Sequence, residues 1–471
     1  MLRSNGRILA AGLAALALSA CNNEGDSGVG PVQPGAAVIA SNITANRTLY
    51  ADTVYTLQGF VQVTNGATLT IQPGTVIQGD FNTVGSSLFI TRGARIVANG
   101  TAAEPIVFTS SRPVGQRQAG DWGGLIIIGN GVINRAAPVI LEGTGTGASN
   151  PQQEYSGGNN NADNSGTLRY VRVEFAGYAT ATDAELNSFT FAAVGSGTTL
   201  EYVQSLYGLD DSFEFFGGAV DGRYLVSYES GDDHFDMSEG YVGRLQYLIA
   251  YQSGLVVPRA GAGNTSNDPQ GIENDGCAGT GCASGQNSTP FTTPVVANFT
   301  LVGTGTGTAV DATSGGYGMI LRRGTGGYYV NGVVARWPKG AMGLRDSTTT
   351  KVRLTDGVFD ARNILVVQSP SIFTTASSGF VLTDSVARNI VRDGAATTAS
   401  LFTTFTQPAT AAASFDWTPP AGSLAAGGGL TAFSGNMATA AGTFVTGTAF
   451  RGAAAPGGTK WWAGWTNYAT N

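Results

Sequence analysis

Apolar triplets recur along the first quarter of the chain. Leu69-Thr-Ile71, Leu88-Phe-Ile90, Ile106-Val-Phe108 and Leu125-Ile-Ile127 follow one another at 19, 18 and 19 residues. Each places two apolar side chains on one face of a strand, either side of an outward one. Asn65-Gly66, Pro73-Gly74, Arg92-Gly93, Asn99-Gly100 and Gly129-Asn-Gly131 supply turns between them. Intervals this short leave no room for a helical crossover. The pattern predicts a coil of short strands, each coil stacked on the one before.

The spacing lengthens downstream. Tyr202-Val, Tyr224-Leu and Tyr247-Leu recur at 22 and 23 residues, and Asn298, Asn331, Asn363 and Asn389, each near an apolar pair, at 33, 32 and 26. These read as coils carrying loops of variable length. A recurring Asn predicts an amide ladder at one corner, hydrogen-bonded from coil to coil; the plainer alternative is the turn preference of Asn. Eleven Phe or Tyr fall between residues 201 and 251. Rings stacked inside the coil account for them, and an exposed Tyr strip that stacks on sugar rings is the alternative. Residues 396–471 are rich in Ala, Thr and Gly and carry Trp417, Trp461, Trp462 and Trp465. A solenoid exposes apolar edges at its ends. This stretch is therefore expected to form C-terminal coils and a Trp-containing cap, with a Trp ligand platform as the sharper reading.

The coil pattern looks like that of right-handed parallel β-helix proteins of the pectin-lyase-like type. Leu69-Thr-Ile-Gln-Pro-Gly-Thr-Val-Ile77, Gly120-Asp-Trp-Gly-Gly-Leu-Ile-Ile-Ile-Gly129 and Trp461-Trp-Ala-Gly-Trp-Thr466 resemble segments of a group of bacterial β-helix surface lipoproteins. The resemblance implies an all-β chain: a single-stranded right-handed parallel β-helix solenoid over 46–395, followed by C-terminal coils and cap over 396–471. It is specific for fold and implies no defined activity, because that group mostly lacks one.

One segment repeats in its acidic residues. Asp210-Asp211-Ser-Phe213-Glu214 matches Asp232-Asp233-His-Phe235-Asp236 position by position at an offset of 22, the local coil length. On stacked coils equivalent residues lie about 4.8 Å apart. Two carboxylates at that distance repel by about 0.9 kcal/mol in water and about 3.5 kcal/mol at an effective dielectric of 20. Asp210, Asp211, Glu214, Asp232, Asp233 and Asp236 thus make a like-charge cluster that needs a cation, arginine or protonation. Clustered carboxylates suit calcium, which takes six to eight oxygens. Glu273-Asn274-Asp275 stands to add oxygens from a neighbouring coil, and Arg223 and Arg244 stand to form ion pairs instead. Aspartates that cap backbone amides in turns are the structural alternative.

Gly231-Asp232-Asp233 also resembles the Asp-Asp element of polygalacturonase-like glycoside hydrolases. That resemblance implies Asp211, Asp232 and Asp233 as carboxylates flanking a glycosidic bond. The sequence departs from it. No Arg-Ile-Lys element follows, no His-Gly lies a coil later, and the single histidine, His234, sits inside the acidic motif.

At the N-terminus, Arg3 and Arg7 precede eleven apolar residues from Ile8 to Leu18, too few to span a bilayer and typical of an export signal. Leu18-Ser-Ala-Cys21 resembles the lipobox of bacterial lipoproteins. That resemblance implies a signal peptide over 1–20, acylation of Cys21 and, from Asn22 beside it, sorting to the outer membrane. Residues 21–45 read as a flexible lipid-anchored tether. Cys277 and Cys282 remain as an even pair, the expected disulfide of an exported chain, closing a short loop.

Composition narrows the field further. A net charge of −7 without basic blocks argues against nucleic acid. One histidine cannot build a three-His zinc site. The expected function is an envelope lipoprotein on the outer membrane, periplasmic or surface-exposed. It acts as a structural or binding module for polysaccharide or an envelope protein, with calcium the one cofactor suggested. A glycoside hydrolase or polysaccharide lyase is the alternative.

Overall fold

A computed structural model describes residues 35–136, 138–182, 184–267, 269–305, 316–374 and 379–469. Its strands pair in parallel in two ladders of 17 and 10 strands. Each coil has three faces. In one coil Thr199–Leu206 makes the first two faces and Phe213–Phe216 the third. Asp221–Tyr228 with Asp236–Ser238, and Arg244–Tyr251 with Ile272–Asp275, make the next two coils. Inward residues stack in register: Val203 on Leu225, Leu248 and Phe299. Phe189, Phe213 and Phe235 stack at 5.1 and 5.3 Å between ring centroids, filling the interior behind the third face.

The first face turns into the second at one residue with left-handed backbone. Tyr170, Tyr202, Tyr224 and Tyr247 hold this corner in four successive coils, then Asn298, Asn331, Asn363 and Asn389, all with φ between 49° and 65°. The Tyr and Asn repeats of the sequence are therefore one column. Asn tolerates this backbone well; Tyr does not. Stacking of the four Tyr rings at 4.4, 4.4 and 5.1 Å offsets the strain.

The expected coil-to-coil amide ladder is not what the Asn residues form. Asn331 Nδ2 donates to the Leu430 carbonyl at 3.2 Å, and Asn363 and Asn389 donate to the Gly428 carbonyl at 2.8 and 3.0 Å. Asn298 Nδ2 donates to Thr448 Oγ1 at 2.8 Å. The C-terminal segment lies over the corner and supplies these partners instead. Its tryptophans cover the side of the solenoid rather than its last coil. Trp465 packs on Tyr170 and Tyr202 at 5.8 and 6.3 Å, Trp461 on Tyr224 at 5.2 Å, and Trp417 Nε1 donates to Tyr228 at 3.0 Å. The far end of the interior is filled by Phe380, Leu382 and Ile390.

Two expected spacings shift. Leu69 lies opposite Ile96, and Leu88 opposite Leu125, so triplets 18 or 19 residues apart belong to different faces, not to successive coils. A three-sided coil carries an apolar triplet on each side, which multiplies the apparent repeat. The solenoid also begins earlier than 46. Gly35–Ile39 pairs with Thr53–Leu57, and Ile39 and Ile43 are buried in the main core. The signal peptide, Cys21 and tether residues 21–34 lie outside the described residues. Among the described residues no helix is long and apolar enough to cross a membrane.

Candidate functional site

The acidic repeat lands on the third face and the turn leading into it. Register aligns Thr190, Glu214, Asp236, Glu273 and Ile320 in one outward column. Carboxylates thus occupy three consecutive coils, with uncharged residues on both sides. The turn before the face forms a second column. Asn187 Oδ1 accepts the Asp211 N–H at 3.1 Å, Asp211 Oδ1 the Asp233 N–H at 2.8 Å, and Asp233 Oδ1 the Gln270 N–H at 2.6 Å. Gln270 Oε1 accepts the Tyr317 N–H at 2.5 Å. Each side chain caps the backbone of the next coil. Gly231 lets the Asp232-Asp233 turn close onto the coil below, since a Cβ there would lie 1.7 Å from the Leu209 carbonyl oxygen.

The two columns converge. Oxygens of Asp210, Asp211 and Asp232, of Asp211, Glu214 and Asp236, and of Asp233, Asp236 and Glu273 lie within 4.8 Å of one another in each triad. Asp211 and Asp236 are each shared by two triads. Asp211, Glu214, Asp233 and Glu273 are buried, while Asp210, Asp232 and Asp236 reach partial exposure. Asp236 Oδ1 is out of solvent and accepts no hydrogen bond.

Burial drives the electrostatics first and like charge second. Desolvation, then Asp232, raises Asp210 well above the usual carboxylate range. Burial, then Asp210, does the same to Asp211, and burial followed by Asp236 to Glu214. Asp233 and Asp236 are raised by burial and then by Asp232 and Glu273 respectively. Glu273 is pushed up to about 8 by burial and Asp275, against the pull of Arg322. Both effects favour the protonated form of the strip's carboxyls.

Two clefts open onto the strip and share Asp232 and Ser266. One, about 820 Å³, is lined by the acidic Asp232 and Glu273, the basic Arg322, Arg323, Lys339 and Arg345, and Tyr317. The second, about 500 Å³, is lined by Glu185, Asp210, Asp232 and the 261–266 loop.

The profile of the pectate-lyase like beta helix domain matches residues 41–417. The chain belongs to this pectate-lyase-like β-helix family. No curated protein and no solved structure is matched.

In this β-helix protein several sequence expectations move. Arg223 and Arg244 stand on the first face, paired with Glu201 and Asp221 and packed against Phe444, away from the strip. They lie 21 residues apart, and the register sets Arg223 opposite Gln246 rather than Arg244, on a different side of the coil from the strip. The neutralising arginines are Arg322, paired with Glu273 and Asp275, and Arg323, paired with Asp275. Glu273 joins the cluster as expected, whereas Asn274 points inward and donates to Tyr329. His234 also points inward. It is fully buried with Nδ1 2.5 Å from Ser227 Oγ, and burial pushes it down to about 3, so it is neutral.

Asp211 and Asp232 do not show the separation of an inverting hydrolase. Asp211 and Asp232 oxygens lie within 4.8 Å, nearer than the ~6.5–9.5 Å that leaves room for a water and a sugar. Cys277 and Cys282 form the disulfide, and its loop is held by Arg135 Nε on the Thr280 carbonyl at 2.8 Å.

Sequence reasoning missed Asn187, Glu142 and Glu185. Asn187-Ser-Phe-Thr-Phe191 aligns with Asp211-Ser-Phe-Glu-Phe215, which would have exposed the ladder one coil earlier. Glu142 comes from the excursion between Ile128 and Gly166, and burial and Glu185 push it up to about 7. No periodic signal marks it.

Proposed function

We propose that this protein is an envelope lipoprotein, anchored to the outer membrane through Cys21, that binds polysaccharide over an acidic strip holding a divalent cation, calcium by preference. One observation carries the cation. The capping column runs Asn187, Asp211, Asp233, Gln270, and all four side chains accept the same kind of backbone N–H. A neutral amide does this work at both ends. Carboxylates at the two middle positions add desolvation cost and repulsion with no extra hydrogen bond. Their charge answers to something outside the fold, and oxygen triads without nearby nitrogen or sulfur ligands suit a hard cation. Asp210, Asp211, Glu214, Asp232, Asp233, Asp236 and Glu273 would hold it; the ion would join the strip to ligand oxygens.

Membership of the family supports a polysaccharide-related role, and the clefts beside the strip, about 820 and 500 Å³, have the volume of ligand-sized sites. The second reading is a polysaccharide lyase or glycoside hydrolase using Asp211, Asp232 and Asp233. It is favoured by Arg322 and Arg323 standing in the same cleft as Asp232. A glycan array probed with the full chain in calcium and in chelator tests both. Calcium-dependent retention of intact glycan supports the binder. Shortened or unsaturated products establish the enzyme, and no retention in either condition overturns the polysaccharide reading.

A further inference from the structure

We propose that residues 396–469 form a latch that opens and closes on the finished solenoid as one cooperative unit. The segment has little structure of its own: a seven-residue helix, Gly435–Ala441, a four-residue helix, Thr398–Leu401, two short 3-10 turns and a pair of two-residue strands. Its order comes from the solenoid. Leu430 N–H donates to Asn331 Oδ1 at 2.6 Å, Thr446 N–H to Gln246 Oε1 at 3.2 Å, and Asn467 N–H to Gln204 Oε1 at 2.7 Å. Gly452 N–H donates to the Asn331 carbonyl at 2.8 Å, and Ala453 N–H to Thr300 Oγ1 at 2.9 Å. These partners belong to different coils, and the row runs on to Asn363 and Asn389, both of which donate to Gly428.

The segment therefore docks on a row of corners that exists only once the coils are stacked. The parallel ladders of the coils, in contrast, are complete without it. Asn331 is the rivet. Its amide and carbonyl bond Leu430 on both sides, Thr448 and Gly452. What the latch covers is apolar: Leu206, Val226, Ile249, Val302, Val333 and Leu365 point outward in successive coils and pack against Phe415, Trp462 and Trp465. A partly lifted latch would leave such a strip half exposed. That favours all-or-none opening over fraying. The acidic strip lies on another face, so this inference stands apart from the cation reading.

Native-state hydrogen exchange on the full chain tests it. The Leu430, Thr446, Gly452, Ala453 and Asn467 amides should share one opening rate, at least tenfold faster than the Leu125–Ile128 amides of the solenoid. Asn331→Gly keeps the left-handed backbone and the carbonyl that holds Gly452 but removes the side-chain bonds to Leu430 and Thr448; it should speed all five by a common factor. Gln204→Leu, at the far end, should do the same. Exchange of the five only together with the solenoid strands would overturn the latch. So would acceleration confined to Leu430 and Gly452 in the first variant, or to Asn467 in the second.

Discussion

Replacing Asp211 and Asp233 together by Asn removes charge from the strip and leaves its capping bonds in place. Asn187 already shows an amide oxygen capping the next coil at 3.1 Å, so the Asp233 and Gln270 N–H groups keep their acceptors. What disappears is like-charge repulsion. Within each triad the oxygens lie no further apart than 4.8 Å. Two full charges at that distance repel by about 3.5 kcal/mol at an effective dielectric of 20, and proton uptake by the raised carboxyls lowers that figure. Unfolding entropy of about 2 cal/mol/K per residue, over roughly 435 folded residues, converts it to at most about 4 °C in Tm. In chelator the double variant is therefore expected to melt up to about 4 °C above the wild type. Calcium should raise the wild type by RT ln(1 + [L]/Kd), about 2.7 kcal/mol or roughly 3 °C at a hundredfold excess over Kd, and leave the variant unmoved. Scanning calorimetry of both proteins in both buffers gives the four numbers. Coincident wild-type curves in chelator and in saturating calcium would refute the cation. A variant that melts lower in chelator would show that the carboxylates serve the fold in a way an amide cannot.

Three further outcomes are expected. Glu273 is raised to about 8 from an ordinary 4.5, so the fold binds its proton more tightly than the unfolded chain does. The stability this adds is complete below about 4.5 and is lost as pH rises through 8. Melting in chelator should fall by a few degrees between pH 5.5 and 8.5, and calcium should flatten the trend; a rising trend in chelator contradicts the assignment. Trp465→Ala should cost about 3–5 kcal/mol in chemical denaturation, because the ring is fully buried against Tyr170 and Tyr202; a loss under 1 kcal/mol would mean the side of the solenoid does not depend on it. Cys21→Ser should move the protein from the membrane to the soluble fraction, and unchanged partitioning defeats the anchor.

The parts of this architecture legible in the sequence are those that repeat with the coil. The 22-residue offset of the acidic motif is the true coil length there, and register confirms it at Glu214 and Asp236. The Asn separations of 33, 32 and 26 are also true coil lengths, since Asn298, Asn331, Asn363 and Asn389 share one corner. The triplet spacing near the N-terminus misled because three faces per coil each carry the same alternation. Face assignment was hidden too. Arg223 and Arg244 differ from their acidic neighbours only in which side of the coil they occupy, and short spacing does not encode side. Residues brought in by excursions were invisible: Glu142 and Glu185 approach Asp210 through loops with no periodicity.

The coil and its excursions divide the work of building the site. The solenoid can only place residues in straight columns, so it makes a strip, limited to three coils by Thr190 at one end and Ile320 at the other. Depth comes from elsewhere. The stretch between Tyr251 and Ile272 supplies Ser266 to both clefts, and the hairpin of Tyr178–Ala181 with Ala184–Leu186 supplies Glu185 to one. The basic Arg322 again comes from a coil position, opposite Asp275 in register. Charge pattern along the cleft is thus fixed by rigid columns, while its shape is set by loops that sequence change can rebuild without disturbing the ladders. A change of ligand size is expected to follow substitutions in the 253–266 loop, and a change of cation dependence to follow substitutions at Asp211, Asp233 or Asp236. If loop substitutions altered calcium affinity as strongly as those aspartates do, the strip would not be the preformed cation site that its columns describe.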